Sequence, residues 1–505
     1  MEYQAATAHS FHLPENLALQ SVTSVPAKSL QLDHRIGFVR PGYDADIVVW
    51  DSHPLSAGAT PLQVYIDGKA TLDPKKVAES RSKVDSKQTE VLETPKMRKV
   101  PEQDVKEETC SQLQKAGQKI VINGIRKSFL ESQGSIKSGD GNMTLVIEDG
   151  EITCLDSQEQ CISAATSGYE LQLNNGHVLP GLVLVSANLG LTDIATSQEA
   201  GDGYVSLKSD IENPDNVVYA KYGIHLEGRT FKRAKIGGIT RAITAPMLDG
   251  GAEGFLSGVS AGIKTDEKHT ILNGGIFQDD VALHFLVGQG AKVDESISTV
   301  SAAIAKLRKV LTDNQGKDNV YGRAANGSLP LVVHVENKYD VMQLVKIKQD
   351  KPSLRLVIQG GAGVPDVAEE LAAAEIPVIL TSARDAPYSW EKKDLLAGPP
   401  LTKSPAEVLA DAGVLFGIAY GFFDDAHIHN LAIEAAWAAK FAGLSENAAV
   451  SLVSKNIEEI LDLKIDSKKR DFVIFEGNPL QFGASVVLSV DGDNKVVTEC
   501  WPEAQ

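Results

Sequence analysis

Cysteine is scarce in this 505-residue chain: Cys110, Cys154, Cys161 and Cys500 are the whole complement, and no two form a Cys-x-x-Cys pair. That leaves no cysteine zinc site and no disulfide framework to expect, and it points to a reducing, cytoplasmic setting. Positive charge is also short. Lys and Arg number 49 against 67 Asp and Glu, giving a net charge of −18. Such a surface repels phosphate backbones, so nucleic acid is not an expected partner. No stretch reaches the roughly 18 uninterrupted apolar residues of a membrane helix, and the first twenty residues lack a basic segment leading into an apolar run. The chain therefore reads as soluble, with no membrane partner. With 43% hydrophobic and 23% charged residues, it has the makings of a large globular core.

An internal repeat comes into view once these classes are set aside. "DIVVWDSHPLSAGAT" at Asp46 to Thr60 is echoed 425 residues later by "DFVIFEGNPLQFGAS" at Asp471 to Ser485, with six of fifteen positions identical. Upstream, "ENLALQSVTSVPAKSLQL" from Glu15 matches "ENAAVSLVSKNIEEILDL" from Glu446 at an offset of 431. Two ordered matches separated by one gap indicate duplication. The second copy has several hundred residues ahead of its tail and the first has almost none, so the expectation is a chain that opens inside the last helices of a first copy. Residues 1–32 read as those helices, 33–75 as a β tail, and 76–118 as a charged linker without apolar periodicity.

Alternating segments with Asn-Gly and Asp-Gly turns, "KIVINGIRKSF", "MTLVIEDGEITCLD" and "YELQLNNGHVLPG", predict hairpins of a small sheet over 119–178, completed by 465–501. Across 179–464 apolar runs such as "GLVLVSA", "GITRAITA", "PLVVHVEN", "LRLVIQGG", "IPVILTSA" and "VLFGIAYG" alternate with helical segments. Buried runs of that kind indicate an α/β fold with a parallel sheet covered on both faces, here a closed TIM-like (β/α)8 barrel. The third and fourth strands, within Gly254 to Gly288, are not resolved by pattern.

"NGHVLPGLVLVSANLGL", with "AKIGGITRAITAP" downstream and "LDHRIGFVRPGYDADIVVWDSHPL" in the first tail, resembles the amidohydrolase superfamily. Members enter their barrel through a Pro-Gly-Leu-Ile-Asp-x-His-x-His strand. Within the superfamily the chain is similar to fungal duplicated proteins of the carbohydrate esterase family 9 type, related to N-acetylglucosamine-6-phosphate deacetylase. The resemblance implies a barrel carrying a small composite β-sandwich, with one or two divalent metals at the C-terminal ends of the strands.

Carried over position by position, the resemblance puts Ser186 and Asn188 where two metal-binding histidines belong. Strand five keeps a histidine, His334; strand six offers Gly360, with Gly361 beside it. Strand eight ends its apolar run at Tyr420-Gly421 instead of a catalytic Asp, with Asp424 and Asp425 shortly after. A metal that activates water typically needs about three or more protein ligands, so one histidine is too few. The expectation is a catalytically impaired relative that binds no cofactor and has a structural, regulatory or ligand-binding role. Its partner would be a small amide or amino-sugar ligand, a second copy, or a catalytically competent copy.

The alternative is a working hydrolase of non-peptide carbon–nitrogen bonds that uses Zn²⁺ or another divalent ion. Its rearranged site would take His334, His427 and His429 as ligands and Asp424 or Asp425 as acid/base. Asp and His in "DDAHIHN" are equally ordinary turn and capping residues. Likewise His284 in "VALHFLVG" reads as core or interface, and "QGGAGVPD" as close strand-to-helix packing ahead of anion binding. The proline pair of "LLAGPPLT" suggests a rigid loop over the barrel mouth.

Overall fold

The computed structural model describes residues 2–85, 95–115, 119–186, 189–194, 197–203, 205, 210–246, 254–293, 296–381, 386–387, 389–420, 425–466 and 469–503. The chain opens with α1 (Glu2–Ser10), α2 (Glu15–Ser21) and α3 (Ser24–Ser29). Strands β1 (Ile47–Trp50), β2 (Pro61–Ile66) and β3 (Lys69–Ala70) then form a small antiparallel sheet. Next come α4 (Pro74–Asp85) and α5 (Gln103–Leu113), inside the stretch expected to be an unstructured linker. Leu113 is buried in the core of the following sheet, and Cys110 is disulfide-bonded to Cys500. One leucine and one cysteine hold α5 down, so it needs no repeating apolar stripe, and periodicity could not reveal it.

Strands β4 (Ile120–Ser128), β5 (Gly139–Glu148) and β6 (Glu151–Ser157), the short α6 (Gln158–Cys161) and β7 (Tyr169–Pro180) build most of the second sheet. The chain then passes through Gly181, whose backbone N–H bonds Asp471 O at 2.8 Å. A Cβ here would lie 2.2 Å from Thr240 Oγ1, so only glycine fits the crossing from sheet to strand cage. The cage comprises β8 (Leu182–Ser186), α7 (Arg229–Ile236), β9 (Ile239–Thr244), β10 (Leu256–Val259), β11 (Ala261–Lys264), β12 (Ile276–Gln278) and β13 (Leu283–Leu286). It continues with α8 (Val300–Asp313), α9 (Val320–Ala325), β14 (Leu331–Val335), α10 (Lys338–Asp350), β15 (Leu356–Gly360), α11 (Ala368–Ala373), β16 (Val378–Leu380), α12 (Pro405–Ala412) and β17 (Phe416–Ile418). Helices α13 (Leu431–Ala442), α14 (Glu446–Leu452) and α15 (Lys455–Ile460) lead to β18 (Phe472–Glu476), β19 (Ser485–Asp491) and β20 (Val496–Cys500). These last three strands join the second sheet, whose order is β20-β19-β18-β7-β4-β5-β6.

In the cage, β8 is parallel to β9, and β13 through β17 are parallel neighbours in sequence order. Between them the chain 256–264 bridges both groups, as β11 against β9 and β10 against β13, and both pairings are antiparallel. The all-parallel expectation is corrected at this third position. The strand that comes to lie beside β9 is β11, whose Ala261 stands opposite Thr244, so the chain turns back along β9. No ladder joins β17 to β8 among the described residues; Val183 N–H donates to Val453 O at 2.9 Å.

Alternation along the strands sorts the core. Val183, Val185, Ile243, Val332, Val357 and Ile379 share an inner cluster, closed at one end by Ile457, Ile460, Leu461 and Leu463. Their neighbours Leu184, Ala242, Val333 and Ile358 pack outward against Phe231 of α7, Leu307 of α8, Leu344 of α10 and Leu409 of α12. The repeat is visible in the backbone as well. An offset of 431 carries α2 onto α14 and α3 onto α15 end for end, and pairs the positive φ of Gln31 (60°) with that of Asp462 (51°).

All four cysteines are paired, Cys110 with Cys500 and Cys154 with Cys161. This corrects the expectation of no disulfides and removes the ground for a reducing compartment. Cys110 and Cys500 are 390 residues apart, and chain spacing could not connect them. No helix among the described residues is long and apolar enough to cross a membrane.

Candidate functional site

Near the C-terminal ends of the parallel strands, the inner face turns polar. His334 follows Val332 by two residues on β14 and so shares its inward face; in register it lies beside Gln359 of β15. His284 of β13 lies beside Val332 and points the same way. The two imidazoles meet with ring centroids 5.9 Å apart. His284 Nε2 is 2.9 Å from Ser260 Oγ, and that hydroxyl has the Ala282 carbonyl oxygen at 3.2 Å as acceptor. With the hydroxyl proton given to Ala282, Nε2–H is the donor and Nδ1 carries the lone pair. That Nδ1, like Gln359 Oε1, is buried without a hydrogen-bond partner. Burial lowers the pKa of His284 to about 3, and burial followed by the neighbouring ring holds His334 well below its ordinary value. Both rings are therefore neutral at pH 7, the form in which imidazole binds metals.

Glu336, two residues beyond His334, stands at the same strand end and was not singled out from the sequence. Its carboxylate accepts the Ala362 N–H at 2.7 Å, and Lys392 Nζ lies 3.4 Å away. The signal was available in "HVE", where period two puts His and Glu on one face. Gly360, at the strand-six ligand position, has φ +92°, and a Cβ there would come 3.0 Å from Glu336 Oε1. In the same loop, a Cβ at Gly363 would meet Lys338 N at 2.4 Å. The glycines thus serve close packing, and one of the loop's amides is already occupied by the protein's own carboxylate.

The other expected residues are dispersed. Ser186 lies beside Thr244 in register, on the outward face of Leu184, and its Oγ accepts Leu189 N–H at 3.0 Å. Asn188, Gly421 and Asp424 fall outside the described residues, and Asp425 begins a 3-10 segment, Asp425–Asn430. His427 and His429 are in this segment with rings 6.0 Å apart. His429 packs edge-on against Phe11 at 5.6 Å, beside Arg98, and the next residue, Asn430, donates to Thr7 Oγ1 at 3.2 Å. Burial, then the charge of Arg98, lowers its pKa to about 3. His429 thus faces the N-terminal helices while His334 faces the cage interior, and the structure does not bring these two histidines together.

Among the described residues one trio has metal-ligand geometry: Asp266, His269 and Asp491, all buried. It lies at the opposite end of the strands, since Thr265 N–H bonds Thr240 O at the start of β9. Lys264 Nζ pairs with Asp491 at 2.6 Å, and Asn494 donates to the same carboxylate at 2.9 Å. Alongside, Arg241 forms a two-point pair with Asp471 (2.8 and 3.1 Å) and reaches Asp493 at 3.0 Å. Burial lowers the Arg241 pKa, but the Asp471 carboxylate outweighs it and the net shift is upward. Lys264 already pairs with the Asp491 carboxylate of this trio, which therefore fits structural ion pairing better than a metal.

Comparison with known proteins accords with this geometry. The amidohydrolase family model matches residues 1–77. The chain is 29% identical over 511 residues to the amidohydrolase tasK of Hapsidospora irregularis, covering 91% of this chain and 50% of that protein. It thus spans half the length of the curated relative it matches. An amidohydrolase from Thermotoga maritima MSB8 shares the fold with a TM-score of 0.61 at 18% identity, covering 75% of this chain and 100% of that one.

Proposed function

We propose that this chain, an amidohydrolase relative in sequence and in fold, is a catalytically impaired binding unit. It would receive a small amide-bearing ligand, such as an N-acetylated amino sugar, over the His284–His334 pair. One observation carries the reading: the imidazoles of His284 and His334 converge at the strand ends, while Ser186 and Gly360 stand where the resemblance puts further histidines. Two ligands fall short of the roughly three that tight binding of a hydrolytic metal needs. A likeness of fold does not supply the missing chemistry. On this reading the family's divalent metal has too few ligands among the described residues, and no catalytic step is assigned to it. Neutral imidazoles, the amide of Gln359 and the Glu336 carboxylate suit a polar uncharged ligand with donors and acceptors. The test is elemental analysis of protein purified without chelator, followed by Zn²⁺ titration and an assay with N-acetylglucosamine. The expected result is substoichiometric metal and no turnover; stoichiometric zinc with robust deacetylation overturns it.

A second reading, metal-dependent hydrolysis of non-peptide carbon–nitrogen bonds, is favoured by the unpartnered Nδ1 lone pair of His284. On that reading His284→Ala and His334→Ala each abolish zinc binding and activity together.

A further inference from the structure

The two closing segments of the repeat have the same elements and opposite surroundings. In the second, Val473 and Ile474 of β18 are 0% exposed, and Leu461, which helps to close one end of the cage, is 1% exposed. Their counterparts at the offsets of 425 and 431 are Val48 and Val49 of β1 and Leu30 after α3, exposed to 41, 43 and 68%. Strand β18 is paired on both sides, antiparallel, with β19 and β7; among the described residues β1 is paired only with β2, and none of them covers its other edge. The helices show the same contrast. Ala18 of α2 packs with Tyr3, Leu55 and Phe482 against α13, so the segment is anchored on one face and bare on the other.

We propose that this bare face, formed by α3, Leu30, Leu32 and the open edge of β1, is the docking surface for a second amidohydrolase-type unit that lacks a closing segment of its own. The occupant's shape is that of the neighbours of α15 and β18: an antiparallel strand to extend the β1 edge, and the inner apolar end of a parallel strand cage to cover Leu30 and Leu32. A second copy of this chain does not offer these, because its β7 already carries β18 and its cage already holds Leu461 and Leu463. The curated relative has room for such a unit, since half of its length lies outside the match.

The experiment uses the full 505-residue chain, co-expressed with the half of the Hapsidospora irregularis relative that it does not match. Expected are equimolar co-purification, rescue of that half's solubility, and amide exchange slowed about tenfold or more at Ile47–Trp50. The Leu30→Asp/Val49→Asp variant, whose folding is checked by an unchanged melting of the rest of the chain, loses all three. No rescue and no co-purification, or binding that leaves Ile47–Trp50 unprotected, overturns the proposal. So does a dimer of the chain alone that dissolves in the same variant, which would make the occupant a second copy.

Discussion

The two ends of the strand cage are built to different standards. At the N-terminal ends of the parallel strands the buried cations are paired, Arg241 with Asp471 and Asp493 and Lys264 with Asp491, and the His269 ring meets Asp266, although Thr240 Oγ1 there is buried without a partner. At the other end His284 Nδ1 and Gln359 Oε1 are buried and unanswered. A buried polar atom without a partner costs stability, and such atoms persist where something other than stability keeps them. In (β/α)8 barrels, the architecture expected from the sequence, ligands bind at the C-terminal end and residues of the N-terminal end hold the fold together. The contrast sets ion pairs that hold the sheet to the strands at one end against neutral, buried imidazoles at the other.

Breaking the ion-paired end should have the largest effect. Arg241→Met leaves Asp471 buried without its cation and should cost about 3–5 kcal/mol in denaturant unfolding. Adding Asp471→Leu should recover much of that, because a matched apolar pair carries no desolvation penalty. If the single variant loses less than about 1 kcal/mol, this end is not the structural one.

Next in size is Cys110→Ser. The Cys110–Cys500 bond ties α5 to β20, in the sheet that delivers Asp471 and Asp491 to the ion-paired end. Opening a loop that long should destabilise by about 2–5 kcal/mol, read as a lower melting temperature, with a similar drop in wild type on reduction. No change on reduction would show that α5 is held by Leu113 packing alone.

A buried histidine away from both ends calibrates what a neutral imidazole costs. His429 ordinarily titrates near 6.5 in the unfolded chain but only at about 3 in the folded one. As pH falls below 6.5 the unfolded state takes up a proton that the native state refuses, so stability declines on acidification, by up to about 1.4 kcal/mol per pH unit for this group. The full contribution is present above pH 6.5. His429→Gln should flatten the slope of stability against pH between about 6.5 and 3 by that amount; an unchanged slope would mean the ring is protonated in the native state.

Much of the fold was legible because it is written in local pattern. Hairpins of the second sheet announce themselves through turns such as Asp149-Gly150, and the buried runs around Leu331–Val335 and Leu356–Gly360 through their length and flanking helices. What stayed hidden depends on contacts distant in sequence. The reversal at 256–264 has no signature in the apolar pattern, and neither disulfide follows from spacing. His334 was legible by resemblance, whereas His284 on a neighbouring strand looked like core, because only register shows that both rings face inward. His427 and His429 were conspicuous as His-x-His, yet their segment turns toward α1, a tertiary choice with no local signature.

The smallest expected stability change tests the end that holds the imidazoles. His284→Leu removes an imidazole whose Nδ1 has no partner and fills the space with apolar volume, while Ser260 Oγ keeps the Ala282 carbonyl as acceptor. Stability should move by no more than about 1 kcal/mol in either direction, since the lost hydrogen bond is offset by the removed desolvation cost. If the strand end is a binding site, the same substitution should abolish binding of the amide ligand or of added Zn²⁺ by calorimetry. A variant that unfolds several kcal/mol earlier would place His284 with the structural residues of the ion-paired end and dissolve the distinction between the two.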